Sequence, residues 1–303
     1  MSLHRAIRLA AAVAVATLAV RAAETPAAIT SGLQGAWVKP DKGWDGRTVL
    51  LLHGFASDMD DAGGLLKRLA HGLAARGIAS LRINFRGEGD ARRTDIESTF
   101  ATRLEDTAAA YAWLVEQPGV NASRTGVMGF SLGASTAIET GAQYPDWFKS
   151  MAVWSSPAGD QFAMYQADET AQKALRDGSA TEEVPGWKKI TTKREFYLSF
   201  RGIDLDKSLA KYPGAFLTVR GTKDELLLAY ARTLEINGGP DHPKVVTKSP
   251  PNPDDVFLAA APGDLKEKLT IEGADHIFNV FQPELGYARQ AVDVTVAWFV
   301  RTL

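Results

Sequence analysis

The 303-residue chain contains no cysteine, which excludes disulfide bonds, a thiol nucleophile and a thiolate metal site. Excess positive charge is also missing: 34 Lys and Arg stand against 36 Asp and Glu, a formal net charge of −2. A nucleic-acid partner demands a basic face to neutralise phosphates, so this balance argues against one. The five histidines are well separated and leave little scope for a histidine zinc cluster, so no metal is expected. No repeat or low-complexity tract suggests a solenoid or fibre. Long hydrophobic runs are absent too. The longest, Leu9 to Val20, is apolar but for Thr17 and spans about 18 Å as a helix, against a hydrocarbon core of roughly 30 Å. What remains is a chain that is 45% apolar and 23% charged, enough to bury a large core without cross-links.

That apolar run follows Arg5 and Arg8 and leads to Val20-Arg21-Ala22, which ends in a small residue. The pattern is a positive n-region, a short apolar h-region and a cleavage site, so residues 1–22 are read as a signal peptide. A retained N-terminal anchor helix is the alternative, disfavoured by the shortness of the run. Cleavage would leave 31 basic and 36 acidic residues, a net charge of −5, on a mature chain with no membrane span that is secreted or periplasmic.

From about residue 33, short β runs alternate with helical stretches. Thr48 to Leu52 (TVLLL) is continuously apolar, as a strand covered on both faces should be. Ile78 to Phe85, Thr125 to Phe130, Met151 to Trp154, Ala215 to Val219 and Leu269 to Ile271 resemble it, and Gly35 to Val38 reads as an edge strand. Helices are expected over Leu65–Ala75, Leu104–Val115, Ser131–Tyr144 and Arg289–Val300, the second with Leu104, Ala108, Tyr111, Ala112 and Val115 on one face. This alternation implies an α/β fold: a mostly parallel, doubly wound sheet with right-handed crossovers. Two stretches break the rhythm. Ser156 to Tyr212, rich in aromatics and charge, reads as an inserted cap, and Asn237 to Gly263, with Pro250-Pro251 and Pro253, as an extended excursion. Residues 23–303 are therefore expected to form one domain with a cap.

The strongest local signal is Gly129-Phe130-Ser131-Leu132-Gly133, a G-x-S-x-G at the junction of a strand and a helix of small residues. Such a turn presents the Ser131 hydroxyl at the carboxyl end of the sheet, beside a helix N-terminus that favours negative charge. A serine merely capping a helix is the plainer alternative, and the strand–turn–helix context speaks against it. A neutral hydroxyl needs a base. His276 lies just after the last strand and before the C-terminal helix. His53 precedes Gly54 in a loop, His71 falls inside a helix and His242 in the excursion, and all three read as structural. The orienting acid should follow a strand between serine and histidine. Asp224 does so, Glu225 is its neighbouring competitor, and Asp254 and Asp255 have no strand before them. The backbone N–H groups of Phe55 and Leu132 are the expected oxyanion donors.

With these parts in place, the chain resembles the α/β-hydrolase superfamily along essentially its whole mature length. The segment from His53-Gly54-Phe55 to Arg86-Gly87-Glu88-Gly89-Asp90 is similar to that of cinnamoyl/feruloyl esterases and related serine hydrolases. The resemblance implies Ser131 as nucleophile, His276 as base, Asp224 as its partner, Phe55 and Leu132 as oxyanion donors, and the insertion as shaper of the ester pocket. Glu88 stands where relatives often carry histidine, and Asn84 where aspartate is common, so neither is given a catalytic role.

Weaker motifs have plainer readings. Asp58, Asp60 and Asp61 lack the terminal glutamate of a calcium loop and read as acids at a helix N-terminus. Gly87 and Gly89 form no dinucleotide fingerprint, so no cofactor is expected. Asn121-Ala122-Ser123 is a formal glycosylation sequon. The expected partner is a small-molecule ester. A serine peptidase or amidase, a catalytically silent binding protein and a cofactor-free acyltransferase or perhydrolase are the rival functions.

Overall fold

The computed structural model describes residues 22–184, 187–224 and 252–303. The signal-peptide expectation (Ala22 apart), Glu225, His242 and most of the Pro/Gly excursion lie outside the described residues.

Among the described residues, eleven strands form two sheets. In chain order they are β1 (Ala22–Thr30), β2 (Leu33–Pro40), β3 (Thr48–Leu52), β4 (Ala79–Asn84), β5 (Asp95–Ile96), β6 (Thr125–Phe130), β7 (Ser150–Trp154), β8 (Ser179–Glu183), β9 (Lys189–Lys193), β10 (Ala215–Gly221) and β11 (Lys266–Ile271). The main sheet has eight strands in the order β1-β2-β4-β3-β6-β7-β10-β11. The β1–β2 and β2–β4 pairs are antiparallel, and all others are parallel. The edge assignment made from sequence needs correcting. Gly35 to Val38 lies in β2, an internal strand, because β1 pairs along its outer side from Ala22 to Thr30. β1 is mostly exposed and lacks an apolar run, so hydropathy gives no sign of it.

TVLLL is wholly buried, and its side chains alternate between two cores. Val49 and Leu51 join a cluster with helices α1 (Leu65–Ala74) and α9 (Tyr287–Thr302). Leu50 and Leu52 join another with α2 (Phe100–Val115), α3 (Leu132–Gln143), α7 (Leu205–Leu209) and α8 (Pro253–Ala260). Both faces of the sheet are therefore covered, which is why its central strands read as unbroken apolar runs. Trp154, at the end of β7, is fully buried and donates its indole N–H to Thr295 Oγ1 at 2.9 Å, pinning α9 to the sheet.

The expected face of α2 is also corrected. Its buried residues are Phe100, Arg103, Asp106, Thr107, Ala110, Tyr111 and Leu114, while Ala112 is exposed. Three of these are polar, so an apolar-periodicity reading settles on the wrong phase. Thr99 closes the helix start in a capping box with Thr102, one turn earlier than hydropathy indicates.

Between β7 and β10 the chain makes α4 (Gln161–Gln166), α5 (Glu169–Asp177), β8, β9, α6 (Arg194–Leu198) and α7. Asp160 caps α4, Asp168 caps α5, and Gly178 (φ 96°) ends α5 in a left-handed turn. The second sheet, β5-β9-β8, takes its β5 strand from the segment before α2. The small sheet thus straps the insertion to the loop after β4.

Candidate active site

Ser131 sits between β6 and α3 at φ 53° and ψ −118°, a left-handed conformation rare outside glycine. The two glycines of the motif let the turn close. A Cβ on Gly129 would lie 2.1 Å from Gly133 O, and one on Gly133 would lie 2.1 Å from Leu52 O. The Ser131 N–H is tied to Trp154 O at 2.9 Å, fixing the turn against β7.

The histidine arrives on the loop between β11 and α9. Ser155, itself at φ 50°, donates its hydroxyl to His276 O at 3.0 Å. Asp275 Oδ1 accepts from the N–H groups of Ile277 (3.0 Å) and Asn279 (2.6 Å), and Asn279 Oδ1 accepts from Asp275 N–H (3.0 Å). The loop is therefore braced on both sides of His276. Its imidazole lies against the Phe130 ring, with centroids 5.2 Å apart.

Asp224 follows β10 and is almost fully buried. Its Oδ1 is 2.8 Å from His276 Nδ1, and His276 Nε2 is 3.1 Å from Ser131 Oγ. A carboxylate only accepts, so Nδ1 carries the proton and Nε2 is left to accept from the serine hydroxyl. Residues 131, 224 and 276, drawn from the ends of three strands, thus form one hydrogen-bonded chain.

The acid's surroundings include Arg220, to which the sequence assigns no role, and Asp254, which it sets aside as the acid. Arg220, on β10, donates Nη1 to Asp224 Oδ2 (3.2 Å) and Nη2 to Ser156 O (2.5 Å). It also donates Nε to Asp254 Oδ2 (3.1 Å) and Nη2 to Asp254 Oδ1 (3.1 Å), and Thr218 Oγ1 donates to Asp254 Oδ1 (2.7 Å). Asp254, in the first turn of α8, is fully buried and serves as the counter-ion of Arg220 rather than partner of the histidine. The alternation of inward positions 218 and 220 with the acid at 224 is the only trace of this arrangement in the sequence.

Phe55 follows β3, and Leu132 opens α3. Neither backbone N–H is donated to a protein acceptor among the described residues. The aromatic residues Phe55, Phe162, Tyr165, Phe196, Tyr197 and Phe200 pack with Leu132 in one cluster over this corner. Phe196, Tyr197 and Phe200 are buried, Phe162 is half-buried, and Trp187 is half-exposed with Lys188 Nζ 4.6 Å above its ring. His53 is fully buried, with Nδ1 on Gly54 O (2.7 Å) and Nε2 accepting from Phe85 N–H (3.2 Å). Burial, and then the nearby Arg103 charge, push it down to about 4, so the ring is neutral and structural. His71 lies in α1, 3.4 Å from Glu24. Among the described residues no cluster of metal-ligating side chains occurs.

The sequence profile of the serine aminopeptidase S33 family matches residues 46–186, a span that includes Ser131 and stops short of Asp224 and His276. Solved structures show a likeness of fold over most of the chain. Est1E from Butyrivibrio proteoclasticus, solved with ferulic acid bound, aligns at a TM-score of 0.64 and 14% identity over 89% of this chain and 95% of its own. The chain has the α/β-hydrolase fold. A dienelactone hydrolase from Anabaena variabilis aligns at a TM-score of 0.59 and 15% identity, over 93% of this chain and 99% of its own. A monoacylglycerol lipase from Paleococcus ferrophilus gives 0.61 and 15%, over 89% and 99%. No curated protein sequence matches the chain significantly.

Proposed function

We propose that this protein is an exported serine hydrolase of the α/β-hydrolase superfamily that cleaves carboxylic esters through an acyl-enzyme. The observation that carries the reading is the hydrogen-bonded chain of Ser131, His276 and Asp224, with steps of 3.1 and 2.8 Å. His276 Nε2 takes the Ser131 proton as Oγ attacks the ester carbonyl. Asp224, clamped by Arg220, holds the imidazole and stabilises its cationic form. The oxyanion is received by the N–H groups of Phe55 and Leu132, each such donor being worth about 2.7–4 kcal/mol of barrier. The alcohol departs with the proton from His276. Water, deprotonated by the same ring, then releases the acid and restores Ser131.

Aryl or cinnamoyl-type esters are the proposed substrates. The aromatic cluster against Leu132 and the fold shared with a ferulate-bound esterase support this choice. Export rests on residues 1–22 of the sequence. A second reading, a peptidase or amidase, is favoured by the family profile over residues 46–186. It separates from the first by comparing p-nitrophenyl esters, feruloyl esters and aminoacyl arylamides on one preparation.

The direct test is Ser131→Ala, which should lose fluorophosphonate labelling and essentially all p-nitrophenyl acetate turnover. A mutant that retains near wild-type kcat refutes the nucleophile assignment. A wild type that takes no label is a silent binding protein.

A further inference from the structure

The loop that carries the Phe55 N–H is held by charged side chains that take no part in the reaction sequence above. Arg103 Nη2 donates to His53 O at 2.5 Å. Asp61 Oδ2 accepts from Gly54 N–H at 2.8 Å. Glu88 Oε2 accepts from Ala56 N–H at 2.7 Å, and Lys188 Nζ donates to Ala56 O at 2.7 Å. Both polar backbone groups of Ala56 are therefore claimed by side chains, one from the turn after β4 and the other from the insertion. Ala56 needs holding, because its φ of 54° is a conformation that an alanine rarely adopts.

The supports are themselves built in. Glu88 and Arg103 have no exposed side-chain surface and pair at 2.6 Å through Oε1 and Nη1. Ser98 Oγ donates to the same Oε1 at 2.6 Å, so both carboxylate oxygens are occupied. Arg103 Nε reaches Thr136 Oγ1 on α3 at 3.3 Å, and its guanidinium lies 3.7 Å from the centre of the Phe85 ring. Arg103 thus ties the oxyanion loop to the helix that begins at Leu132. Lys188 Nζ also donates to Ala91 O and Arg93 O, each at 2.8 Å. Burial alone would raise the Glu88 carboxyl, but the Arg103 charge and its hydrogen bonds hold it below the usual range, so it is ionised. A buried ion pair is a costly way to gain stability but an effective way to fix geometry. A histidine at position 88 would offer at most one acceptor where the carboxylate has two.

We propose that Glu88 and Lys188, backed by Arg103, are positioning residues that hold the Phe55 N–H in the orientation the developing oxyanion requires. The proposal rests on the ester-hydrolase reading of the Ser131 site. Because an oxyanion donor acts in the transition state, displacing it lowers kcat and leaves substrate binding largely alone.

The test compares wild type, Glu88→Gln and Lys188→Met on p-nitrophenyl acetate. Rates are expressed per Ser131 labelled to completion by a fluorophosphonate, so that unfolded molecules are not counted. Lys188→Met is the safeguard if Glu88→Gln folds poorly, because Lys188 is only half-buried. Glu88→Gln should lose about 10- to 100-fold in kcat and Lys188→Met about 3- to 10-fold, with KM within about twofold, since a full donor is worth about 10²- to 10³-fold. Affinity for phenylboronic acid, which forms a tetrahedral adduct on the serine, should fall in parallel. Lys189→Met, at an exposed neighbour, should change neither quantity. The proposal is overturned if both Glu88→Gln and Lys188→Met keep kcat per labelled serine within twofold of wild type, whatever their stability. A wild type that takes no label and cleaves no ester overturns the ester-hydrolase reading first, and this proposal with it.

Discussion

The most direct probe of the serine turn is Gly133→Ala. The new Cβ would lie 2.1 Å from Leu52 O and 2.6 Å from His53 O, whereas real Cβ atoms essentially never come within 3.0 Å of another heavy atom. Relief requires a movement of roughly 1 Å, and the atoms in the way are backbone, so no rotamer change supplies it. Leu52 is locked in register with Gly129 of β6, and His53 O is held by Arg103. Either the start of α3 moves, taking Leu132 N–H with it, or the end of β3 moves, taking Phe55 N–H. Overpacking of this kind costs about 1–3 kcal/mol. Replacing glycine within a helix returns about 0.8–1.0 kcal/mol of that. The net loss of stability is therefore modest, a fall in Tm of a few degrees. The loss of activity is not modest, because a displacement of about 1 Å between donor and reacting carbonyl is worth roughly 10²-fold. The assay is kcat on p-nitrophenyl acetate per fluorophosphonate-labelled serine, alongside urea unfolding. Gly141→Ala is the internal control. Its Cβ meets the flexible end of Met151 at 2.7 Å and the edge of Tyr212 at 3.1 Å, far along the same helix, so kcat should be unchanged. A Gly133→Ala enzyme with kcat within about threefold of wild type refutes the reasoning.

Two further outcomes follow from the buried charges. Asp254→Ala strands the Arg220 guanidinium in the interior without two of its hydrogen bonds. It should destabilise the fold by about 3–5 kcal/mol in urea, and the double variant Arg220→Met/Asp254→Leu should recover part of that loss. A single variant as stable as wild type would mean that the pair is not confined as described. His53, depressed to about 4 in the folded protein against about 6.5 unfolded, binds a proton more readily once the chain unfolds. Stability should therefore fall by about 3 kcal/mol as pH drops from 6.5 to 4. Burial raises the Asp61 carboxyl, and the hydrogen bonds it accepts do not cancel that effect, so it acts in the opposite sense. The slope is accordingly read as the difference between wild type and His53→Asn by urea titration at several pH values. No difference between the two would contradict the neutral, buried assignment.

The features of this protein that are legible in the amino-acid order alone are those with one physical cause and a short range. TVLLL and its counterparts are legible because a strand covered on both faces has no polar position to spare. The serine turn is legible because its pattern is confined to five residues. A Cβ on Gly129 would indeed meet Gly133 O within that span, whereas the backbone that excludes a Cβ on Gly133 belongs to the end of β3. What only the tertiary structure decided involves polar groups whose partners are distant in the chain. β1 is exposed and acquires its strand character from pairing with β2. The inward face of α2 is not legible in the sequence because Arg103 and Asp106 point inward, and a charged residue looks like surface until its partner is known. Arg103 meets Glu88 and Asp106 meets Arg86 across 15 and 20 residues, and Arg220 meets Asp254 across 34. Hydrophobic burial leaves a periodic record in the chain, because every buried position favours the same chemistry. A buried ion pair leaves none, because its stability depends on a neighbour that only the folded backbone supplies.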